Sequence, residues 1–316
     1  MMTEPPTPAA LGAFHHVTLG VTDLDAAVVF WAGNFGLTTR ARREGPDAGL
    51  ATLWSLPGDA IRRQALVHTP GAMVGALHLV EFAAPGPPVR DGARVCDRLP
   101  KNIDLYTRDL GTRFAALEAA GHRFRAPPAG MAAGRHVFRE AQMPGPDGVN
   151  VVVIEVIGPG YDVPLSPRGF AGAGPVVTIV GDVGAEGRFY REVLGLAMTL
   201  DLQLGGPDIE RAVGLPPGAT LDLQVYGDPH EPLGRIEAIE YGQVEGADLY
   251  PRARPPARGL LHATWRTPGL DELRARLATA GVAVTEHGPV TALFGAGEMI
   301  SFRSPAGFRI EVQAGA

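Results

Sequence analysis

Two apolar spacings alternate along the chain. Runs such as HHVTLGV (15–21), GALHLVEF (75–82) and VNVVVIEV (149–156) carry the short, β-branched character of strands. Leu110, Phe114 and Leu117, and again Leu270, Leu273 and Leu277, recur at spacings that line one face of a helix. Both helical segments end in Ala-Gly, at Gly121 and Gly281, where a left-handed C-terminal cap is expected. Before the first helix, Thr22 with Asp25 three residues on has the form of a capping box, with Asp in place of the usual Glu or Gln.

The pattern repeats. HHVTLGVTDLDAAVVFWAGNFGL (15–37) returns as GPVVTIVGDVGAEGRFYREVLGL (174–196), so that Asp23 and Asp182 lie 159 residues apart. GALHLVEF returns as GRIEAIEY (234–241), and PDGVNVVVIEV (146–156) as PAGFRIEVQ (305–313), at the same offset of 159. Within each half a second strand-then-helix unit begins, at 102–124 and 262–284. Four βαβββ modules in two halves account for nearly the whole chain, an α+β arrangement. The Pro- and Gly-rich stretch 157–174 lacks apolar periodicity and reads as the linker between halves. The expected divisions are an arm at 1–12, domains at 13–157 and 173–316, and a linker at 158–172.

Composition narrows the class. With 316 residues, 45% hydrophobic and 20% charged, the chain suits two ordinary globular domains. A net charge of −6 offers no clustered positive field for nucleic acid or an anionic membrane, which leaves a small molecule as the expected partner. A single cysteine, Cys96, excludes an internal disulfide framework and fits a reducing, cytoplasmic setting. The N-terminal MMTEPPTPAALG lacks the basic and apolar regions of a signal peptide, and no segment has the apolar length of a membrane span.

A first strand of the form H-V-T-L-x-V, a D-L opening a helix that holds F-W or F-Y and ends in G-L, and a last strand introduced by P-D-G or P-A-G together resemble the vicinal oxygen chelate superfamily of glyoxalases, bleomycin-resistance proteins and ring-cleaving dioxygenases. The resemblance implies two cup-shaped mixed sheets. It also implies that metal-dependent members take one ligand from the first strand and one from the last strand of each paired module.

Those positions are His16, His78, Asn102 and Val152 in the N-terminal half and Pro175, Glu237, His262 and Glu311 in the C-terminal half. Each half is expected to form its own cup, and the C-terminal cup keeps three donors, Glu237, His262 and Glu311. These suit a divalent ion such as Mn, Fe, Co, Ni or Zn, with Glu237 or Glu311 as the proton-transferring carboxylate. The N-terminal set, His16, His78 and Asn102, is the weaker site because Val152 removes the carboxylate.

Three functions follow from the resemblance: a metal-dependent lyase, isomerase or epimerase of glyoxalase type acting on a small carbonyl compound; a metal-free binding or drug-sequestering protein; and an extradiol dioxygenase, against which Pro175 argues because that chemistry needs a His there. Trp54, Tyr106, Tyr241, Trp265 and Phe302 are candidate cavity walls. His15, His68, His122, His136, His230 and His287 are expected to be structural or at the surface. Either a monomer or a homodimer is compatible with the fused modules.

Overall fold

Strands far apart in sequence meet at the centre of each sheet. In the computed structural model, which describes residues 11–133, 135–158 and 160–315, the first module comprises β1 (His16–Val21), α1 (Leu24–Phe35), β2 (Thr38–Glu44), α2 (Ala48–Leu53), β3 (Ile61–His68) and β4 (Ala76–Phe82). The second contains β5 (Pro100–Thr107), α3 (Leu110–Ala119), β6 (Ala129–Ala133), β7 (His136–Pro144) and β8 (Asn150–Gly158), followed by the short β9 (Phe170–Ala171). The third contains β10 (Pro175–Val180), α4 (Val183–Arg188), β11 (Ala197–Gly205), α5 (Pro207–Val213), β12 (Thr220–Gly227) and β13 (Arg235–Gly242). The fourth contains β14 (Gly259–Thr267), α6 (Asp271–Thr279), β15 (Thr285–Ala292), β16 (Gly295–Arg303) and β17 (Arg309–Ala314).

One sheet has the order β15-β16-β17-β14-β1-β4-β3-β2, the other β11-β12-β13-β10-β5-β8-β7-β6. Within each module the first and last strands run parallel, as β1 with β4 and β14 with β17. Modules join through antiparallel seams, β1 with β14 and β10 with β5. The first cup therefore combines modules one and four, and the second combines modules two and three.

This corrects the half-by-half pairing expected from sequence: the spans 13–157 and 173–316 are repeats, but neither encloses a cup. The physical reason lies in the connections. Residues 83–99 carry the chain from the first sheet to the second and 243–258 carry it back. The two run side by side, with Pro88 bridging Arg258 and Arg98 bridging Asp248. The Gly86 N–H donates to the Pro256 carbonyl at 2.8 Å, and the Arg98 N–H to the Ala247 carbonyl at 2.8 Å.

The starts of α1, α2, α3 and α4 share one device. Asp23, Asp47, Asp109 and Asp182 each accept the N–H three residues on, at 3.1, 3.1, 3.1 and 2.7 Å. The first cap is thus Asp23, not Thr22, whose hydroxyl donates instead to Asp147. Left-handed glycines follow the helices as expected, Gly121 at φ 93° and Gly281 at φ 68°. The expected arm at 1–12 lies outside the described residues except for Leu11, which is buried, and Gly12, whose carbonyl accepts the Trp265 indole N–H at 3.2 Å. Among the described residues no helix is long and apolar enough to cross a membrane.

Alternation along the strands separates a shared convex-side core from the apolar linings of the two concave faces. Convex-face residues such as Val17, Leu77, Ala263 and Ile310 from the first sheet join Ile103, Val151, Val176 and Ile236 from the second and the helices in one shared core. The concave faces hold two separate clusters, one around Trp54, Val80 and Met299, the other around Ile209, Leu223 and Ile239. Trp265 and Phe302, considered as cavity walls, belong to the shared core.

Trp265 is fully buried, edge-on to Phe14 with centroids 5.8 Å apart. Trp265→Ala is expected to lower unfolding free energy by roughly 3–5 kcal/mol in urea titration. Val29→Ala, on the exposed face of α1, is expected to change it by less than about 0.5 kcal/mol.

Candidate functional site

The crossed pairing regroups the candidate donors. Thr18 on β1 lies in register with His78 on β4 and with His262 on β14, while His16 faces Thr264, the partner of Glu311 on β17. His16, His78, His262 and Glu311 thus occupy one cup, each no more than 1% exposed. Glu237 and Asn102 do not join them. Their strands, β13 and β5, belong to the second sheet, together with Pro175 and Val152. Both donor sets proposed from sequence are therefore split, and their surviving members combine into a four-donor set.

The rings of His16 and His78 are 5.3 Å apart, and His262 Nε2 lies 3.4 Å from Glu311 Oε2. Several of these atoms make no hydrogen bond: His16 Nε2, both nitrogens of His262, and Glu311 Oε2. Burying unpartnered polar atoms costs on the order of 1–3 kcal/mol each, so their concentration here calls for a ligand. As the side chains stand, no three His, Cys, Asp or Glu among the described residues are gathered closely enough to chelate an ion. Glu311 Oε1 is turned to Arg309 Nε at 2.8 Å and to the Trp54 indole at 3.0 Å, and His78 Nε2 lies 2.8 Å from Gln64 Oε1. In chemistry the donors fit: three imidazoles and one carboxylate form a set that divalent transition ions accept.

Electrostatics keeps His16, His78 and Glu311 in their metal-binding protonation states. Burial, reinforced by His15, His78 and His262, holds His16 well below the ordinary imidazole range. Burial with His262 lowers His78 to about 3, and burial with Arg266 and Arg40 lowers His15 to about 4. Burial alone would raise Glu311, but His262 and Arg309 outweigh it and hold the carboxyl well below its usual range.

The cup is sealed by two aromatic residues that carry no donor-like signal in sequence. Trp54, at the C-terminal end of α2, stacks edge-on to His262 at 5.4 Å. Phe294, in the turn between β15 and β16, packs 4.4 Å from His16 and 5.4 Å from His78. His287, expected at the surface, is half-buried in β15 with Nε2 2.9 Å from Ser301 Oγ, beside Glu311 in register. By contrast Glu81 and Glu240 point to the helix side. Each caps a helix, accepting the N–H of Leu24 or Val183 at 2.9 Å.

The second cup has a different content. Its cavity has a volume of about 90 Å³ and is partly open at the mouth. Asn102, Asp104, Glu140 and Glu237 line it with Lys101, Tyr106 and Tyr241, and His136 stands at its wall. Lys101 Nζ donates to Tyr241 Oη at 2.8 Å. Burial and the nearby Glu140 raise Glu237 to about 8. Burial with Arg90 and Arg125 lowers Lys101 to about 7.

The sequence profile of the Glyoxalase/Bleomycin resistance protein/Dioxygenase superfamily matches residues 13–153 and 172–312. The chain belongs to that superfamily. Among solved structures, glyoxalase I from Zea mays is similar, with TM-score 0.63 at 15% identity over 96% of this chain and 92% of that one. A substituted form of the same maize protein gives 0.67 at 15% identity, covering 96% and 93%. A Bacillus subtilis protein provisionally assigned as a dioxygenase gives 0.61 at 15% identity, covering 96% and 85%. A search of curated protein sequences returns no match. At these identities the structural likeness speaks for the fold.

Acid should destabilise the metal-free protein. His15, His16 and His78 are held neutral in the fold but take up a proton below about pH 6.5 in the unfolded chain. Their contribution is intact above that pH and is lost as pH falls through it. Between pH 7.5 and pH 5 each should cost roughly 2 kcal/mol in urea titration, and His78→Gln should reduce the loss by about that amount.

Proposed function

We propose that this chain is a divalent-metal-dependent enzyme whose metal is held in the first cup by His16, His78, His262 and Glu311, and that it acts as a lyase, isomerase or epimerase on a small carbonyl compound. The observation that carries the reading is the convergence of these four side chains, several of their atoms unpartnered, in one sealed apolar space. Mn, Fe, Co, Ni or Zn suits the set. When bound, the ion supplies Lewis acidity to two adjacent substrate oxygens.

The surrounding residues have supporting tasks. Gln64 orients the His78 ring, and Trp54 with Arg309 fixes one oxygen of Glu311 while the other faces His262. Trp54 and Phe294 exclude water, and a substrate enters only when one of them moves, because all four donors are at most 1% exposed. Glu311 is the one carboxylate of the donor set and therefore the proton acceptor in this reading. The role considered for Glu237 falls away, because it lies in the other cup. The enzyme would work in a reducing cytoplasm, with Cys96 as a free thiol, as a monomer or homodimer.

One observation favours a second reading. His16, His262 and Glu311 supply two imidazoles and a carboxylate, the ligand set of ring-cleaving iron oxygenases. The objection drawn from Pro175 no longer applies, since Pro175 lies in the other sheet and His16 stands where that chemistry needs a histidine.

Elemental analysis of the purified protein is expected to find about one divalent ion per chain. His262→Ala and Glu311→Ala should each weaken metal binding by more than about 100-fold, and Gln64→Ala by roughly 10–100-fold, while Glu237→Ala leaves it unchanged. Retention of metal by Glu311→Ala would refute the assignment. Oxygen uptake with catechol after anaerobic iron loading selects the dioxygenase reading. Solvent-deuterium exchange at the carbon beside a carbonyl, without oxygen uptake, selects the first.

A further inference from the structure

The second cup has lost the donor pattern and gained another. Where the first cup has His16, His262 and Glu311, the second has Pro175, Asn102 and Val152 at the equivalent strand positions. Yet its cavity is not simply apolar. Asp104 on β5, Glu140 on β7 and Glu237 on β13 converge on it from three strands, against one amine, Lys101. Among the described residues none of the three carboxyls forms an ion pair. Asp104 is 3% exposed and its Oδ1 has no hydrogen-bond partner. The carboxyl of Glu237 makes no side-chain hydrogen bond among the described residues, and that of Glu140 accepts one, from Gln142 Nε2 at 2.9 Å. Above this floor the walls are aliphatic: Leu200, Leu204, Leu221 and Leu223 from the sheet, and Ile209 and Val213 from α5.

We infer that the second cup is a separate binding site for a small apolar molecule carrying a protonated amine. The ammonium group would donate to Asp104 and Glu237 on the floor, and the hydrocarbon body would lie against the leucines and α5. Burial holds Asp104 and Glu237 towards their neutral forms, and an ammonium group, with up to three N–H bonds to offer, would stabilise the ionised floor in their place. Burial of a lone carboxylate is costly, and a paired cation offsets that cost. A neutral apolar ligand would leave Asp104 Oδ1 unpartnered, and an anion would add repulsion.

Calorimetric titration of the full-length protein at pH 7 with n-hexylamine, 1-hexanol and hexanoate tests the inference. Hexylamine is expected to bind at least about tenfold more tightly than hexanol, with no detectable hexanoate binding. Asp104→Asn and Glu237→Gln, which keep side-chain shape, should each abolish the preference for the amine over the alcohol while a thermal melt shows the fold retained. Leu223→Trp should block all binding by filling the cavity. Equal binding of amine and alcohol, preference for hexanoate, or an amine preference that survives both isosteric variants would overturn it. Displacement of the amine by millimolar Mn(II) in the Glu311→Ala background would also overturn it, by showing the floor to be a metal site.

Discussion

The antiparallel seams between β1 and β14 and between β10 and β5 are the contacts on which everything else rests. A βαβββ module curls but cannot close. Its first strand has one free edge, and its concave face is lined on one side only. Pairing first strand to first strand satisfies that edge and brings two concave faces together. The seam also places His16 and Glu311 against the same residue, Thr264, from opposite sides. Register, not proximity in sequence, assembles the donor set.

The two cups show how far one backbone can be re-used. Asp23 and Asp182 cap equivalent helices, and Glu81 and Glu240 close the same helices from the last strand of the module. These convex-side devices are duplicated because both copies meet the same shared core. On the concave side, where nothing in the frame demands a particular residue, the copies diverge into imidazoles under an aromatic cover and carboxyls under an aliphatic one. Function has changed where packing left it free.

Much of this was legible in the sequence because periodicity and an offset of 159 residues are direct readouts of strands, helices and repeats. Glu81 and Glu240 stand an odd three positions after His78 and Glu237, so strand alternation turns them to the other face. The pairing of modules did not, because all four present equivalent first-strand edges, and the choice is made by the connections at 83–99 and 243–258, whose Pro- and Gly-rich sequences carry no periodic signal. Strand position identifies every donor, but grouping by repeat divides them across the wrong seam. Lys101 was missed for a different reason: the register shifts where β5 meets β10, so that adjacent Lys101 and Asn102 both reach the cavity. Trp54 was among the aromatic candidates for a cavity wall, whereas Phe294 lies in a turn that alternation does not reach.

The crossing also sets an order of assembly. Modules two and three are contiguous, so the second cup is complete once the chain has emerged as far as β13. The first cup is divided around it, β1 to β4 at one end and β14 to β17 at the other. During synthesis the first module must wait, its seam edge and concave face unpartnered, until the last quarter of the chain arrives. A long-range closure of this kind is slow, because loop entropy is spent before the contacts that offset it form. The half-cup in waiting is thus the part of this protein most exposed to aggregation or to capture by a chaperone, and the histidines proposed to bind metal are the last donors to be brought together.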